Sequence, residues 1–396
     1  METIGKQTLF DNALDLLVAK IEEDEQTIGV EFPYTTDASG AWRTKPSSQT
    51  EGYTGEGSFG NWFCGFWIGM LLAAFLRSGR RHFLRTAISR VRSMVPHSDD
   101  RNTHDIGFNL CTSIPSAFHI TRDAWLREVG VYGANQLRSR VVKTQDNAYI
   151  PSWPLGNNRG SRTVQIDTMP VLFLLYWATE ESKDASLRAA GEAHAQTTQE
   201  HFVRPDYSTV HAVEFGPVTG HPTRKFTFRG YADDSCWSRG QAWGVYGFVA
   251  TARATGKIEY LRLAERLADH FMNRLDGTLI PLWDFDDPSN PNSPRDSSAA
   301  AIVASALLDL SALHPDAEIG AHWRRCGLAL LAKLCEHCLA TEATHRGLLK
   351  HGCYRKPNND GLDCASTYGD YYFVEALCSA CMPNAFRPAL SRLTRS

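Results

Sequence analysis

One pattern restricts this chain before anything else. Helical segments that are apolar on every face alternate with segments that are apolar on one. Asn61 to Arg77 is apolar almost all round, and Arg80 to Val95 behind it is amphipathic. A helix apolar on every face has to lie inside, and an amphipathic one has to cover it. The pairing repeats: Asp105 to Ile120 with Thr121 to Val142, Asp167 to Thr179 with Asp184 to Phe202, Cys236 to Ala254 with Lys257 to Arg274, Ser297 to Leu313 with Glu318 to Ala340. Gln7 to Glu23 and Ala365 to Met382 bring the total to twelve helices. The joints echo one another. Ser78-Gly79-Arg80-Arg81-His82-Phe83-Leu84-Arg85-Thr86-Ala87 aligns without gaps on Thr255-Gly256-Lys257-Ile258-Glu259-Tyr260-Leu261-Arg262-Leu263-Ala264. Repeated helical hairpins argue for a toroid or a solenoid, and six can close into a ring. The expectation is an all-α chain, a six-hairpin α/α barrel forming one domain over 1–396, with at most short strands around Val210 to Thr227. An open α-solenoid and two helical bundles are the alternatives.

Composition narrows the function classes. The 396 residues carry a net charge of −3, so there is no basic field for nucleic acid. Aromatics reach 11%, with ten tryptophans, which suits a carbohydrate cleft. Met1 to Asp11 has no basic start followed by an apolar run, and no run is long enough to span a bilayer. A cytoplasmic protein with no membrane partner is expected. The ten cysteines lie mostly in apolar helical segments and read as reduced, buried thiols. Cys335-Glu336-His337-Cys338 and Cys378-Ser379-Ala380-Cys381 have zinc-like spacing, but their Leu and Ala neighbours point to core packing, and no metal is expected. Arg77, Arg80, Arg81, Arg85, Arg90 and Arg92 read as the solvated face of an outer helix. The polar tail Arg387 to Ser396 is expected to fray.

The unusual chemistry sits in the long inter-hairpin loops, each leading into an apolar helix. It therefore collects at the inner helices' N-terminal ends, where helix dipoles favour anions. Phe226 to Trp243 is the richest stretch. Arg229, Arg239, Trp237 and Trp243 suggest a pocket for an anionic, flat-faced ligand. The plainer reading is a buried pair of Arg239 with Asp233 or Asp234. Asp105 and Asp167 stand at two inner-helix starts. They are either N-caps or two carboxylates sharing one cleft, where one pKa rises as a general acid requires.

At this point the residues match a family. The chain resembles the unsaturated glucuronyl hydrolases, glycoside hydrolase family 88. The resemblance rests on His104-Asp105-Ile106-Gly107-Phe108, Ile166-Asp167-Thr168-Met169 and Ser208-Thr209-Val210-His211. It continues through Gly230-Tyr231-Ala232-Asp233-Asp234-Ser235, Trp237-Ser238-Arg239-Gly240-Gln241-Ala242-Trp243, Arg295-Asp296-Ser297-Ser298-Ala299 and Gly369-Asp370-Tyr371-Tyr372. It implies an enzyme for oligosaccharides with a 4,5-unsaturated uronic acid at the non-reducing end, needing no cofactor and sometimes a homodimer. It makes Asp167 the general acid and base, with Asp105 holding sugar hydroxyls and keeping Asp167 protonated. His211 and Arg239 line the uronate subsite beside Arg229, Trp243 packs on the sugar, and Trp62 or Trp67, and Trp153, are further walls. Two departures stand out. Arg229 occupies a position where the family commonly has glutamine. The run Gly347-Leu348-Leu349-Lys350-His351-Gly352-Cys353-Tyr354-Arg355-Lys356 lacks the serines of sulfate-accepting members, with Arg355 and Lys356 as possible substitutes. Unsaturated rhamnogalacturonyl hydrolases are the nearest alternative, but they usually read Gly-Asn-Gly-Trp where this chain has Gly240-Gln241-Ala242-Trp243. A sugar epimerase calls for paired histidines, and a non-enzymatic glycan-binding or adaptor protein has no use for the two aspartates.

Overall fold

The computed structural model describes residues 2–48, 61–100, 102–153, 162–217 and 219–386. The tail expected to fray, and parts of two long loops (49–60 and 154–161), lie outside the described residues. The helices are α1 (Glu2–Asp24), α2 (Cys64–Ser78), α3 (Arg81–Met94), α4 (Asp105–Cys111), α5 (Ile114–Thr121), α6 (Ala124–Ser139) and α7 (Thr168–Ser182). Then come α8 (Ala185–Phe202), α9 (Ser238–Thr255), α10 (Ile258–Asn273), α11 (Ser297–Leu313), α12 (Ala317–His337) and α13 (Thr367–Cys381).

The inner layer is a closed ring. Helix α2 packs on α4, α4 on α7, α7 on α9, α9 on α11, α11 on α13, and α13 returns to α2. These helices are the apolar ones: every residue of α2 from Cys64 to Ala74 is buried, as is every residue of α11 from Ser297 to Leu308. The amphipathic partners lie outside, α3 on α2, α6 and α8 on α7, α10 on α9 and α12 on α11. Helix α1 covers the seam between α13 and α2, so the two ends of the chain complete the sixth hairpin. This is the α/α barrel that the alternation implies. The buried apolar side chains form one contiguous cluster. The echoed joints have a common cause. Gly79 and Gly256 both end an inner helix at a φ of 69°, a left-handed conformation that a side chain would strain.

Three expectations are corrected. The helix over Asp105 to Ile120 is two, broken at Thr112 and Ser113. Their hydroxyls bond to the carbonyls of Phe108 and Asn109, and Pro115 in the first turn of α5 has no N–H to carry a helix through. Strands are more widespread than the Val210 to Thr227 region. Beside the expected β6 (Ala212–Phe215) and β7 (Pro222–Phe226), which pair with each other while β5 (Thr163–Gln165) pairs with the other edge of β6, there are three hairpins among the described residues. They are β1 (Phe32–Thr36) with β2 (Trp42–Lys45), β3 (Val142–Lys143) with β4 (Ala148–Tyr149), and β8 (Gly352–Arg355) with β9 (Asp360–Cys364). Arg90 leaves the solvated set: it is buried, bonded to Glu25 at 3.0 Å and to the Glu31 carbonyl at 2.8 Å. Cys335, Cys338 and Cys378 are buried free thiols and Cys381 is half-buried. Among the described residues no helix is long and apolar enough to cross a membrane.

Candidate active site

The starts of the inner helices meet in a narrow pocket at one mouth of the ring. Trp62 reaches it from just before α2, Phe108 from α4, Asp167 from the head of α7, and Arg239 and Trp243 from the first turns of α9. Arg229 and Trp237 come from the loop ahead of α9, Tyr354 from β8, and Tyr368 from the start of α13. The cavity is about 10 Å³, close to the room one water needs. Its walls are aromatic. Trp62 stacks on Tyr368 at 5.6 Å, and Trp243 sits 5.7 Å from Phe108. An aromatic cage holding two guanidiniums and one carboxyl fits a flat, anionic sugar.

Asp167 occupies the N-cap position of α7, but its side chain caps nothing. Its Oδ1 is buried without a hydrogen-bond partner. Burial pushes its carboxyl up to about 6, against the opposing pull of Arg229 first, then of its own backbone N–H, then of Arg239. A carboxyl in this condition can carry a proton near neutral pH and give it up. The upward push comes from burial in the first place, where the sequence suggested a neighbouring carboxylate. Asp105 stands aside from the pocket's lining residues. It is the first residue of α4, half-buried, with its Oδ1 3.4 Å from His104 Nε2. His104 Nδ1 lies 2.8 Å from Thr168 Oγ1, so one buried imidazole ties together the two helix starts that carry the aspartates. Burial holds His104 down to about 3, hence neutral.

The two arginines differ. Arg239 is buried and engaged, with Nη1 paired to Asp296 and donating to the Cys353 carbonyl at 2.7 Å, and Nη2 donating to the Tyr354 carbonyl at 2.7 Å. Its carboxylate partner is therefore Asp296, not Asp233 or Asp234. Arg229 is half-buried, donates to the Tyr354 carbonyl at 3.3 Å and lies 4.9 Å from the centre of the Tyr354 ring. His211 lies behind Trp237, with ring centres 4.7 Å apart. Its Nδ1 accepts the Phe228 N–H at 3.4 Å, so Nε2 carries the hydrogen, and Nε2 is buried without a partner. Burial and the two arginines hold its pKa well below the usual value.

Of the remaining tryptophans, Trp62 and Trp243 line the pocket. Trp153 is buried 5.6 Å from Phe228, outside the lining. Trp67 is corrected: it is 1% exposed in the core, its Nε1 donating to Glu25 at 2.6 Å. One helical step separates a wall from a core position, and periodicity cannot choose between them on a helix apolar all round. Phe108, Tyr354 and Tyr368 went unassigned, although each stands in or beside a run quoted above. Gln241 is buried and donates to the carbonyls of Tyr207 at 2.9 Å and Leu267 at 3.0 Å, so it is a packing residue. Lys356 is engaged too, 3.1 Å from Asp287. Among the described residues no group of three or more His, Cys, Asp or Glu is placed to hold a metal ion.

No family model matches the chain. Curated relatives do. The chain is 30% identical over 355 residues to the unsaturated glucuronyl hydrolase of Bacillus sp. strain GL1, covering 88% of this chain and 90% of that one. It is 31% identical over 322 residues to the unsaturated chondroitin disaccharide hydrolase of Streptococcus pneumoniae, covering 80% and 81%. The solved structure of a Bacillus sp. GL1 unsaturated glucuronyl hydrolase, described as responsible for the degradation of glycosaminoglycan, superposes with a TM-score of 0.86. The sequences are 27% identical there, over 98% of this chain and all of that one. A structure of an unsaturated glucuronyl hydrolase specific for heparin superposes at 0.84, with 30% identity over 93% and 96%.

Proposed function

The chain belongs to the unsaturated glucuronyl hydrolases, and from that premise we propose that it releases the 4,5-unsaturated uronic acid at the non-reducing end of lyase-generated glycosaminoglycan oligosaccharides. The observation that carries the reading is Asp167: a carboxyl raised to about 6 by burial, its Oδ1 without a hydrogen-bond partner, in an aromatic pocket with two guanidiniums. The reaction is hydration of the enol ether. The Asp167 acid delivers its proton to C4, and positive character grows at C5. Water adds there and returns its own proton to the Asp167 carboxylate. The C5 hemiketal opens and the aglycone leaves. Asp105 holds sugar hydroxyls, Trp243 and Trp62 pack on the sugar, and Trp153 walls the side beyond Phe228. The two arginines favour the uronate's charge, and His211 presents its Nε2–H from behind Trp237. The whole of 1–396 is taken as one catalytic domain. A cytoplasmic site of action and a homodimer belong to the same proposal, checked by cell fractionation and sedimentation.

The test is a panel of lyase-generated disaccharides followed by the ultraviolet absorbance of the conjugated double bond. Loss of that absorbance with release of the aglycone sugar is expected. A chain that leaves every unsaturated disaccharide intact does not have this function.

A further inference from the structure

Two guanidiniums line the pocket, and they are tied unequally: Arg239 has three hydrogen bonds to buried acceptors and Arg229 has one. Arg239 spends Nη1 on Asp296 and the Cys353 carbonyl, and Nη2 on the Tyr354 carbonyl. Asp296 is itself wholly buried, and its Oδ1 accepts the Ser298 N–H at 3.2 Å. Pulling Arg239 toward a ligand strands a buried carboxylate and two buried carbonyls, each a cost comparable to a lost hydrogen bond or more. Arg229 is held by one long bond, Nη1 to the Tyr354 carbonyl at 3.3 Å, and by the faces of Tyr354 at 4.9 Å and Phe228 at 5.9 Å. It lines the same small cavity as Asp167. Of the two guanidiniums at this narrow pocket, Arg229 is therefore the one that can turn toward a ligand at the lower cost.

Resting on the hydrolase reading above, we propose that Arg229, and not Arg239, takes the uronate carboxylate, and that in doing so it sets the protonation of Asp167. With the pocket empty, the Arg229 charge bears on the Asp167 carboxyl and favours its ionised form. A bound carboxylate draws that charge onto itself and leaves Asp167 free to hold the proton it must deliver to C4. Substrate binding thereby arms the acid.

The other groups around Asp167 leave this role to Arg229. On α9, Arg239 is neutralised by Asp296 from the head of α11. On the β6 side, His211 is neutral, its pKa held well down by burial. On β8 and α13, Tyr354 and Tyr368 are phenols. On the α4 side stand Asp105 and the neutral His104, 3.4 Å apart. After burial, Arg229 is the largest influence on Asp167.

The experiment compares pH profiles of KM and kcat/KM for the full chain and three variants, with an unsaturated disaccharide as substrate. The alkaline limb of kcat/KM reports the acid of the free enzyme. Arg229→Gln removes the charge, so the limb moves to higher pH. It also removes the fork, so KM rises roughly 30-fold or more, the loss of a desolvated charge-assisted pair. Arg229→Lys keeps the charge and loses the fork, so KM rises while the limb stays. Arg239→Lys keeps a charge that Asp296 already answers, so the limb stays and the melting temperature falls. The proposal is overturned if Arg229→Gln leaves the limb where it is, or if Arg239→Lys raises KM more than Arg229→Lys does. A wild-type chain that never consumes the double bond rejects the hydrolase reading itself, and the proposal with it.

Discussion

Asp167 shows what a buried carboxyl costs and what it gives. Its Oδ1 has no partner and its pKa is raised to about 6 by burial. As proton donor it should lose kcat/KM as pH rises through about 6, and Asp167→Asn should lose roughly 10²–10⁴ in rate, the worth of general acid–base catalysis. The same raised pKa makes a stability prediction of fixed sign. Between the unfolded value of 3.8 and about 6, the folded state holds the proton and the unfolded state does not. Stability from this site is therefore present at low pH and lost as pH rises. Asp167→Asn, which cannot ionise, should be more stable than wild type above pH 6 by on the order of 1–3 kcal/mol, with the gap closing toward pH 4. Urea unfolding at pH 4, 6 and 8 checks this, and an unchanging or inverted gap refutes it. Asp167 was legible in the sequence because its type and its place ahead of an apolar helix narrow its options. The environment that sets its pKa was not, since it is assembled from residues of β8, α9 and the loop before α9.

Elements were legible in proportion to their length. Helix α11 falls on the expected Ser297 to Leu313, and the other long helices are misplaced by a few residues at their ends. Strands of two to five residues are too short for alternation to register, so the hairpins in the long loops were missed. One of these matters to the site. Asp296, the N-cap of α11, bonds to Ser298 N at 3.2 Å, pairs with Arg239 on α9, and accepts the Cys353 N–H of β8 at 3.4 Å. One carboxylate thus holds two helix starts and a strand, and its partner arginine is 57 residues away, a separation that no local pattern reveals. The prediction separates capping from pairing. Asn caps as well as Asp, so Asp296→Asn tests the pair alone and should cost roughly 3–5 kcal/mol by stranding a buried arginine. Asp296→Ala should add only about 1 kcal/mol to that. If Asp296→Asn unfolds within about 1 kcal/mol of wild type, less than one buried pair, the carboxylate serves only as a cap.

At the scale of the molecule the barrel has to close, and a buried polar clamp joins its first and last parts. Helix α1 ends at Asp24, which is 1% exposed and accepts Arg346 Nε at 2.7 Å and Trp42 Nε1 at 3.1 Å. One turn earlier, Lys20 donates to the Gly347 carbonyl at 3.1 Å. The next two residues donate their N–H groups to Asp370 of α13, Leu348 at 2.8 Å and Leu349 at 2.9 Å. The segment so pinned runs on into β8, which delivers Tyr354 to the pocket. Closure of the ring and the shape of the site are therefore one problem. Arg346→Leu leaves the Asp24 carboxylate buried beside a weaker partner and should cost roughly 3–5 kcal/mol at pH 8. Burial already pushes Asp24 up to about 6, so below that pH it protonates and the cost should shrink. Adding Asp24→Asn removes the stranded charge and should restore more than half of the loss. KM should rise in Arg346→Leu and fall back in the double variant, because the Tyr354 wall depends on the same segment. Urea unfolding and disaccharide kinetics on the two single variants and the double measure both effects. A double variant no more stable than Arg346→Leu alone rules out the clamp, and leaves apolar packing of α1 over the α13–α2 seam as what shuts the ring.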